Sequence, residues 1–137
     1  MKILFIDTNI VIDLLAKRDP FYEDAAKLFS LADRKKLKLV VSSLTFANTN
    51  YVLSKLKNST KSREILTKFK VLVTVADLND KIIELSLSDK SFSDFEDGLQ
   101  YYTALAHESD IIITRNLKDF KNSSLPVITS NAYLSQQ

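Results

Sequence analysis

At 137 residues with a formal net charge of +2, the chain is long enough for one hydrophobic core but too weakly charged to indicate nucleic acid by charge alone. The absence of cysteine excludes disulfides, thiol catalysis and zinc–thiolate sites, and a single glycine excludes the glycine-rich phosphate turns of P-loop and dinucleotide folds. No apolar stretch approaches the length of a membrane span, the start does not read as a signal peptide, and the expected location is the cytoplasm.

Ile3-Leu4-Phe5-Ile6 is a continuous apolar run, as in a strand buried on both faces, so residues 2–6 are read as the first strand. Asp7 and Thr8 supply helix-capping side chains, and Ile10, Val11, Leu14 and Leu15 at helical spacing predict a short helix to about Ala16. Asp19-Pro20 marks a new start, with Pro20 suited to the first turn of a helix carrying Ala25, Leu28, Phe29 and Ala32. Residues 38–42 form a second strand around Leu39-Val40-Val41, and Ser42, Ser43 and Thr45 offer caps for a helix through Leu56. Asn58-Ser59-Thr60 reads as a turn and residues 62–69 as a helix. Residues 71–75 read as a third strand and 78–87 as a helix. After a polar break at 88–93, Ser93 and Glu96 form a capping box opening a helix that carries Leu99, Tyr102, Thr103 and Ala106. Ile111-Ile112-Ile113 predicts a fourth strand, Pro126-Val127-Ile128 a short fifth, and Tyr133-Leu134 a last helical turn. This alternation of strands and helices predicts an α/β fold with a parallel sheet covered on both faces, in one domain over residues 1–137.

Ligands of an open parallel sheet bind outside the carboxyl ends of its strands. Here the first strand ends in Asp7, followed by Thr8 and Asn9. The second ends in Ser42, with Asn48 on the helix that follows. The fourth ends in Thr114-Arg115-Asn116, with Asp119 three residues later. Asp94 and Asp97 fall in the first turn of the helix feeding that strand, and their i, i+3 spacing places them on one face. Aspartates converging on one rim suit a hard divalent cation such as magnesium or manganese. Such an ion would relieve their mutual repulsion and could activate a water against a phosphodiester.

Each acid also has an ordinary structural role open to it. Asp7 can cap a helix, Asp94 can complement a helix N-terminus, and Asp119 can stabilise a turn. Asp97, further into its helix, is explained least well in that way. His107, the one histidine, reads as a helix-terminal residue rather than a general base, and Tyr101 and Tyr102 read as packing residues. The basic clusters at 34–36 and 55–63 read first as solvated faces and second as phosphate contacts.

Phe5-Ile6-Asp7-Thr8-Asn9-Ile10-Val11 resembles the opening motif of PIN domains, and Ser42-Ser43-Leu44-Thr45 resembles their second. Asp94-Phe95-Glu96-Asp97 with Gly98-Leu99-Gln100 and Ala104 resembles their third, acidic helix. Ile113-Thr114-Arg115-Asn116 with Asp119-Phe120 resembles the fourth, so the likeness runs from Met1 to about Leu134. It implies a three-layer α/β/α fold around a parallel sheet of about five strands, often in a homodimer. It also implies a ribonuclease dependent on Mg2+ or Mn2+, and for many members a VapC-type toxin held by a cognate antitoxin.

Carried over residue by residue, Asp7, Asp97 and Asp119 would hold the metal, with Asp94 as a further ligand or water-orienting base. Thr8, Asn9 and Thr114 would orient ligands or water around them. Two positions depart from the family pattern: its glutamate after strand two falls on Asn48, and the acid after Thr-Arg falls on Asn116. Both keep an oxygen ligand and remove charge, so metal affinity should fall. They motivate an alternative, a PIN-like RNA- or partner-binding module with weak or no nuclease activity. A phosphatase with Asp7 as nucleophile is a third reading, disfavoured because Asn9 stands where such enzymes want a second aspartate.

Overall fold

Five short strands, β1 (Ile3–Ile6), β2 (Lys38–Ser42), β3 (Thr74–Ala76), β4 (Ile111–Ile113) and β5 (Val127–Ile128), hydrogen-bond into one all-parallel sheet in the order β3-β2-β1-β4-β5. They belong to a computed structural model that describes residues 1–136. Around the sheet lie α1 (Thr8–Leu15), α2 (Tyr22–Asp33), α3 (Ser43–Leu56), α4 (Ser59–Lys70), α5 (Asp80–Ser88), α6 (Phe95–Ala106), α7 (Ser130–Ser135) and a 3-10 turn at Leu117–Phe120. Among the described residues no helix is long and apolar enough to cross a membrane.

The apolar strands are continuous because both faces of the sheet are covered. Successive side chains of a strand point to opposite faces. Leu4, Ile6, Leu39, Val41, Ile111 and Ile113 therefore pack with Ile10, Leu28, Phe29, Phe69 and Tyr133 on one side. Phe5, Val40 and Ile112 pack with Phe92, Tyr101, Ala104 and Phe120 on the other. The result is the expected three-layer arrangement.

The strand order positions the site. The chain builds β1, β2 and β3 in one direction and then crosses to add β4 and β5 on the other side of β1. The direction reverses between β1 and β4, whose carboxyl ends form the crevice where parallel α/β sheets bind ligands. Asp7 and Thr114 stand on its two sides, and the Asp7 amide donates to the Ile113 carbonyl at 3.0 Å.

Several boundaries differ from the sequence expectations. The third strand is Thr74–Ala76 rather than 71–75, because pairing with β2 sets the register Val40↔Thr74, Val41↔Val75 and Ser42↔Ala76. Val71 instead ends α4 and is 85% exposed, while Leu72 and Val73 pack against the core from the turn. α4 begins at Ser59 because the Asn58 side chain accepts from the Lys61 amide at 2.8 Å and caps it. Pro20 precedes α2, which starts at Tyr22. The capping box at Ser93 does not form. Asp94 is the cap of α6, accepting from the Glu96 amide at 2.8 Å. The buried face of α6 is Gly98, Leu99, Gln100, Tyr101, Thr103 and Ala104, leaving Ala106 exposed and Tyr102 half-buried.

Candidate metal centre

Asp7 combines a cap with a hub. As N-cap of α1 its Oδ1 accepts from the Thr8 amide at 2.9 Å, and Gln100 Nε2 donates to the same oxygen at 3.2 Å. Oδ2 accepts from Thr114 Oγ1 at 2.8 Å and from Asn9 Nδ2 at 3.3 Å. Only 7% of the residue is exposed. Burial raises its carboxyl above the ordinary aspartate value, donors from Thr114, Gln100 and Thr8 oppose that rise, and the charge of Asp119 adds to it. All four donors are neutral, so nothing in direct contact cancels the charge of an ionised Asp7.

Asp97, more than Asp7, is the acid on which the charges of the others act. Asp94 is exposed at the tip of α6, Asp97 is half-buried in its first turn, and Asp119 is half-buried in the 3-10 turn after β4. Burial, followed by the charges of Asp94, Asp119, Asp7 and Glu96, pushes Asp97 up to about 7. That coupling is the physical sign that these carboxylates share one field. Among the described residues no salt bridge reaches any of the four aspartates. Nor do three acidic or histidine side chains among those residues already enclose a space for an ion.

The residues fit a hard cation by the chemistry of their donors. Crowded carboxylates without cationic partners attract one. Two buried carboxamide oxygens, Asn9 Oδ1 and Gln100 Oε1, also have no hydrogen-bond partner. Thr8, Asn9 and Thr114 touch Asp7 or its neighbours, and Thr8 Oγ1 lies 2.8 Å from Thr45 Oγ1. Asn48 reaches the acidic helix by a long 3.4 Å hydrogen bond from Nδ2 to Glu96 Oε1. Asn116 contributes through its backbone, its amide donating to Thr114 Oγ1 at 3.0 Å.

Sequence reasoning missed one participant, Gln100, and one buried ion pair outside the cluster, at Asp13. Gln100 appeared only as part of a motif, since nothing in composition distinguishes a buried glutamine from a surface one. Asp13, fully buried in α1, accepts from Arg18 Nε at 3.1 Å and from Arg115 Nε at 2.7 Å and Nη2 at 3.2 Å. The Arg115 guanidinium also lies 3.9 Å from the Phe21 ring centre, a cation–π contact.

His107 is the C-cap residue of α6, and Tyr101 stacks on Phe92 with ring centres 4.9 Å apart. The Tyr102 hydroxyl donates to Asp89 Oδ2 at 2.6 Å. The basic clusters lie away from the acids. Residues 34–36 are in the turn entering β2, at the amino edge of the sheet, and Lys57 and Lys61 line a groove with Leu14, Leu15, Ala16 and Lys17 at the far end of α1.

A parallel sheet in this order, with acids after β1, in the first turn of α6 and in the turn after β4 on the side of the switch point, defines an α/β/α domain with a locally acidic site. The sequence profile of the PIN domain family matches residues 3–118, and the chain belongs to that family. It is 27% identical over 137 residues to ribonuclease VapC1 of Aquifex aeolicus strain VF5, covering 95% of this chain and 92% of the relative. Its fold is similar to that in the structure of VapBC-1 from nontypeable Haemophilus influenzae (TM-score 0.70, 22% identity, 94% of this chain and 98% of that one). It is similar too to VapC20 of Mycobacterium tuberculosis, described as a sarcin-ricin loop cleaving toxin (TM-score 0.63, 15% identity, 80% and 86%).

Proposed function

We propose that this chain is a metal-dependent endonuclease that cleaves RNA phosphodiesters in the cytoplasm, acting as one domain over residues 1–137 and as the toxin of a toxin–antitoxin pair. The observation that carries this reading is the acid cluster at the switch point, where Asp97 is pushed up to about 7 and no cation among the described residues is paired to it. Likeness to a ribonuclease over nearly the full chain supports the RNA substrate, and the toxin–antitoxin complexes among the similar structures support an antitoxin partner. A homodimer is part of the same reading, as the family resemblance implies.

Asp7, Asp97 and Asp119 would hold Mg2+ or Mn2+, with Asp94 at the exposed mouth as a further ligand or a base that orients water. When bound, the ion supplies a Lewis acid and an acidified water at the phosphodiester. The chain's own residues prepare the place for it. Thr114, Thr8 and Asn9 fix the direction of the Asp7 carboxylate, and burial of Asp7 keeps bulk water off it. Asn48 and Asn116 stand at the rim where acids would add charge, and so moderate the affinity for the ion.

The test is Asp7→Asn, which should abolish Mg2+- or Mn2+-dependent RNA cleavage while the circular dichroism spectrum stays that of the folded protein. Undiminished cleavage would end this account. Asn48 and Asn116 favour one other reading, a binding module without nuclease activity. Calorimetry showing no divalent-ion binding alongside retained RNA binding would support it.

A further inference from the structure

Gln100 lies in α6 three residues after Asp97, on the same side of the helix. A glutamine in a helix ordinarily points its amide at water, yet this residue is 4% exposed within a run of buried neighbours. Its Nε2 donates to Asp7 Oδ1 and to Thr8 Oγ1, both at 3.2 Å, which leaves the Thr8 hydroxyl free to donate to Thr45. Its Oε1 is buried and has no partner.

The amide cannot turn over to relieve this, because the flip would press a carbonyl oxygen against an ionised carboxylate. Asn9 repeats the arrangement on the other carboxylate oxygen, with Nδ2 toward Asp7 Oδ2 and a buried, unpartnered Oδ1. Buried acceptors without donors are destabilising and rare in folded proteins. Packing alone would be served better by leucine. Two stranded carboxamide oxygens flanking one carboxylate match what a hard cation or its bound water would complete.

We propose that Gln100 is a positioning residue of the cation site. Its amide nitrogen holds Asp7 and Thr8, and its Oε1 is an uncharged oxygen acceptor for a hydrated divalent cation. The proposal rests on the metal-dependent reading above and assigns within it a residue outside the aspartate set. An oxygen without charge also complements a site in which Asn48 and Asn116 already stand in place of acids.

The experiment follows thermal unfolding of the full chain with and without MnCl2, together with calorimetric Mn2+ affinity, for the wild type, Gln100→Leu and Gln100→Glu. The leucine variant loses the stranded oxygen but also the donor to Asp7 and Thr8, so its metal-free melting temperature serves as the control that it folds. Its Mn2+ affinity should fall by about tenfold, the size of effect typical of an outer-shell partner. The glutamate variant should melt lower without metal, because its carboxylate faces Asp7, and should show a larger Mn2+-induced rise than the wild type. A leucine variant that binds Mn2+ as tightly as the wild type overturns the proposal and leaves the metal-dependent reading standing. If the leucine variant does not fold, the glutamate variant decides: a Mn2+-induced rise no larger than wild type overturns the proposal. Absence of Mn2+ binding by the wild type overturns both.

Discussion

Asp7 and Asp13 both belong to α1 or its cap, six residues apart, and both are almost wholly removed from water. Their surroundings are opposite. Asp13 meets two guanidinium groups, so its charge is compensated on the spot and it ties α1 to Arg18 and to the segment after β4. Asp7 meets only neutral donors, and the nearest charges that act on it or on Asp97 are carboxylates. A buried ion pair satisfied in this way is structural, whereas a charge left without a counter-ion in a ligand-binding crevice marks a place for something to bind. The difference between the two aspartates is what separates a fastening from the proposed site.

The largest effect that would break this contrast is in activity. Asp7→Asn should lower metal-dependent cleavage by more than the ~100-fold typical of losing an outer-shell partner, without lowering metal-free stability. Asp13→Ala should do the reverse. It strands two arginines and should destabilise the fold by about 3 kcal/mol, the low end for a broken buried pair because Arg18 is 43% exposed. Urea unfolding measures that loss. Cleavage below the unfolding transition should fall much less than for Asp7→Asn.

A smaller effect sharpens the electrostatic half of the comparison. The folded-state value of Asp97 is raised from 3.8 to about 7, by burial first and then by neighbouring carboxylates. The folded protein therefore holds this proton more tightly than the unfolded chain does. Its contribution to stability is full below the unfolded value and is lost as pH rises through about 7. Melting of the metal-free protein should accordingly decline between pH 4 and pH 7. Asp97→Asn should flatten that slope, and saturating Mn2+ should oppose it, since the cation prefers the ionised form.

The smallest effect concerns the rim. Asn48→Asp places another carboxylate near Glu96, so metal-free stability should drop by no more than about 1 kcal/mol while Mn2+ affinity rises. A variant with unchanged Mn2+ affinity would remove Asn48 from the site.

Much of the fold was legible in the sequence because the sheet is fully covered. Strands buried on both faces write themselves as runs such as Ile3-Leu4-Phe5-Ile6 and Ile111-Ile112-Ile113. The same rule misplaced the third strand, since Val71 is β-branched yet ends a helix in solvent, and only pairing with β2 selects Thr74–Ala76. The cap of α6 was assigned to Ser93 from its spacing to Glu96, and Asp94, a residue of equal capping chemistry, holds it instead.

The acids of the proposed site were picked out because each follows a strand or opens a helix at the carboxyl edge. Asp94, expected to complement the helix N-terminus by its charge, also caps it, and Asp7 caps α1 as its ordinary role allows. The partners were not legible. Neither the arginines of Asp13 nor the amide of Gln100 follows from local pattern, because Arg115 and Gln100 reach their partners 102 and 93 residues away in sequence. The basic clusters offered the opposite lesson: a clear pattern in sequence, placed by the topology away from the acids.

The central claim is tested most directly by a crystal of the full chain soaked in MnCl2 and measured for anomalous scattering. The account predicts a manganese peak bounded by Asp7, Asp97 and Asp119. A soaked crystal with no peak there, or with manganese bound only at some other carboxylate such as Asp89, would contradict it.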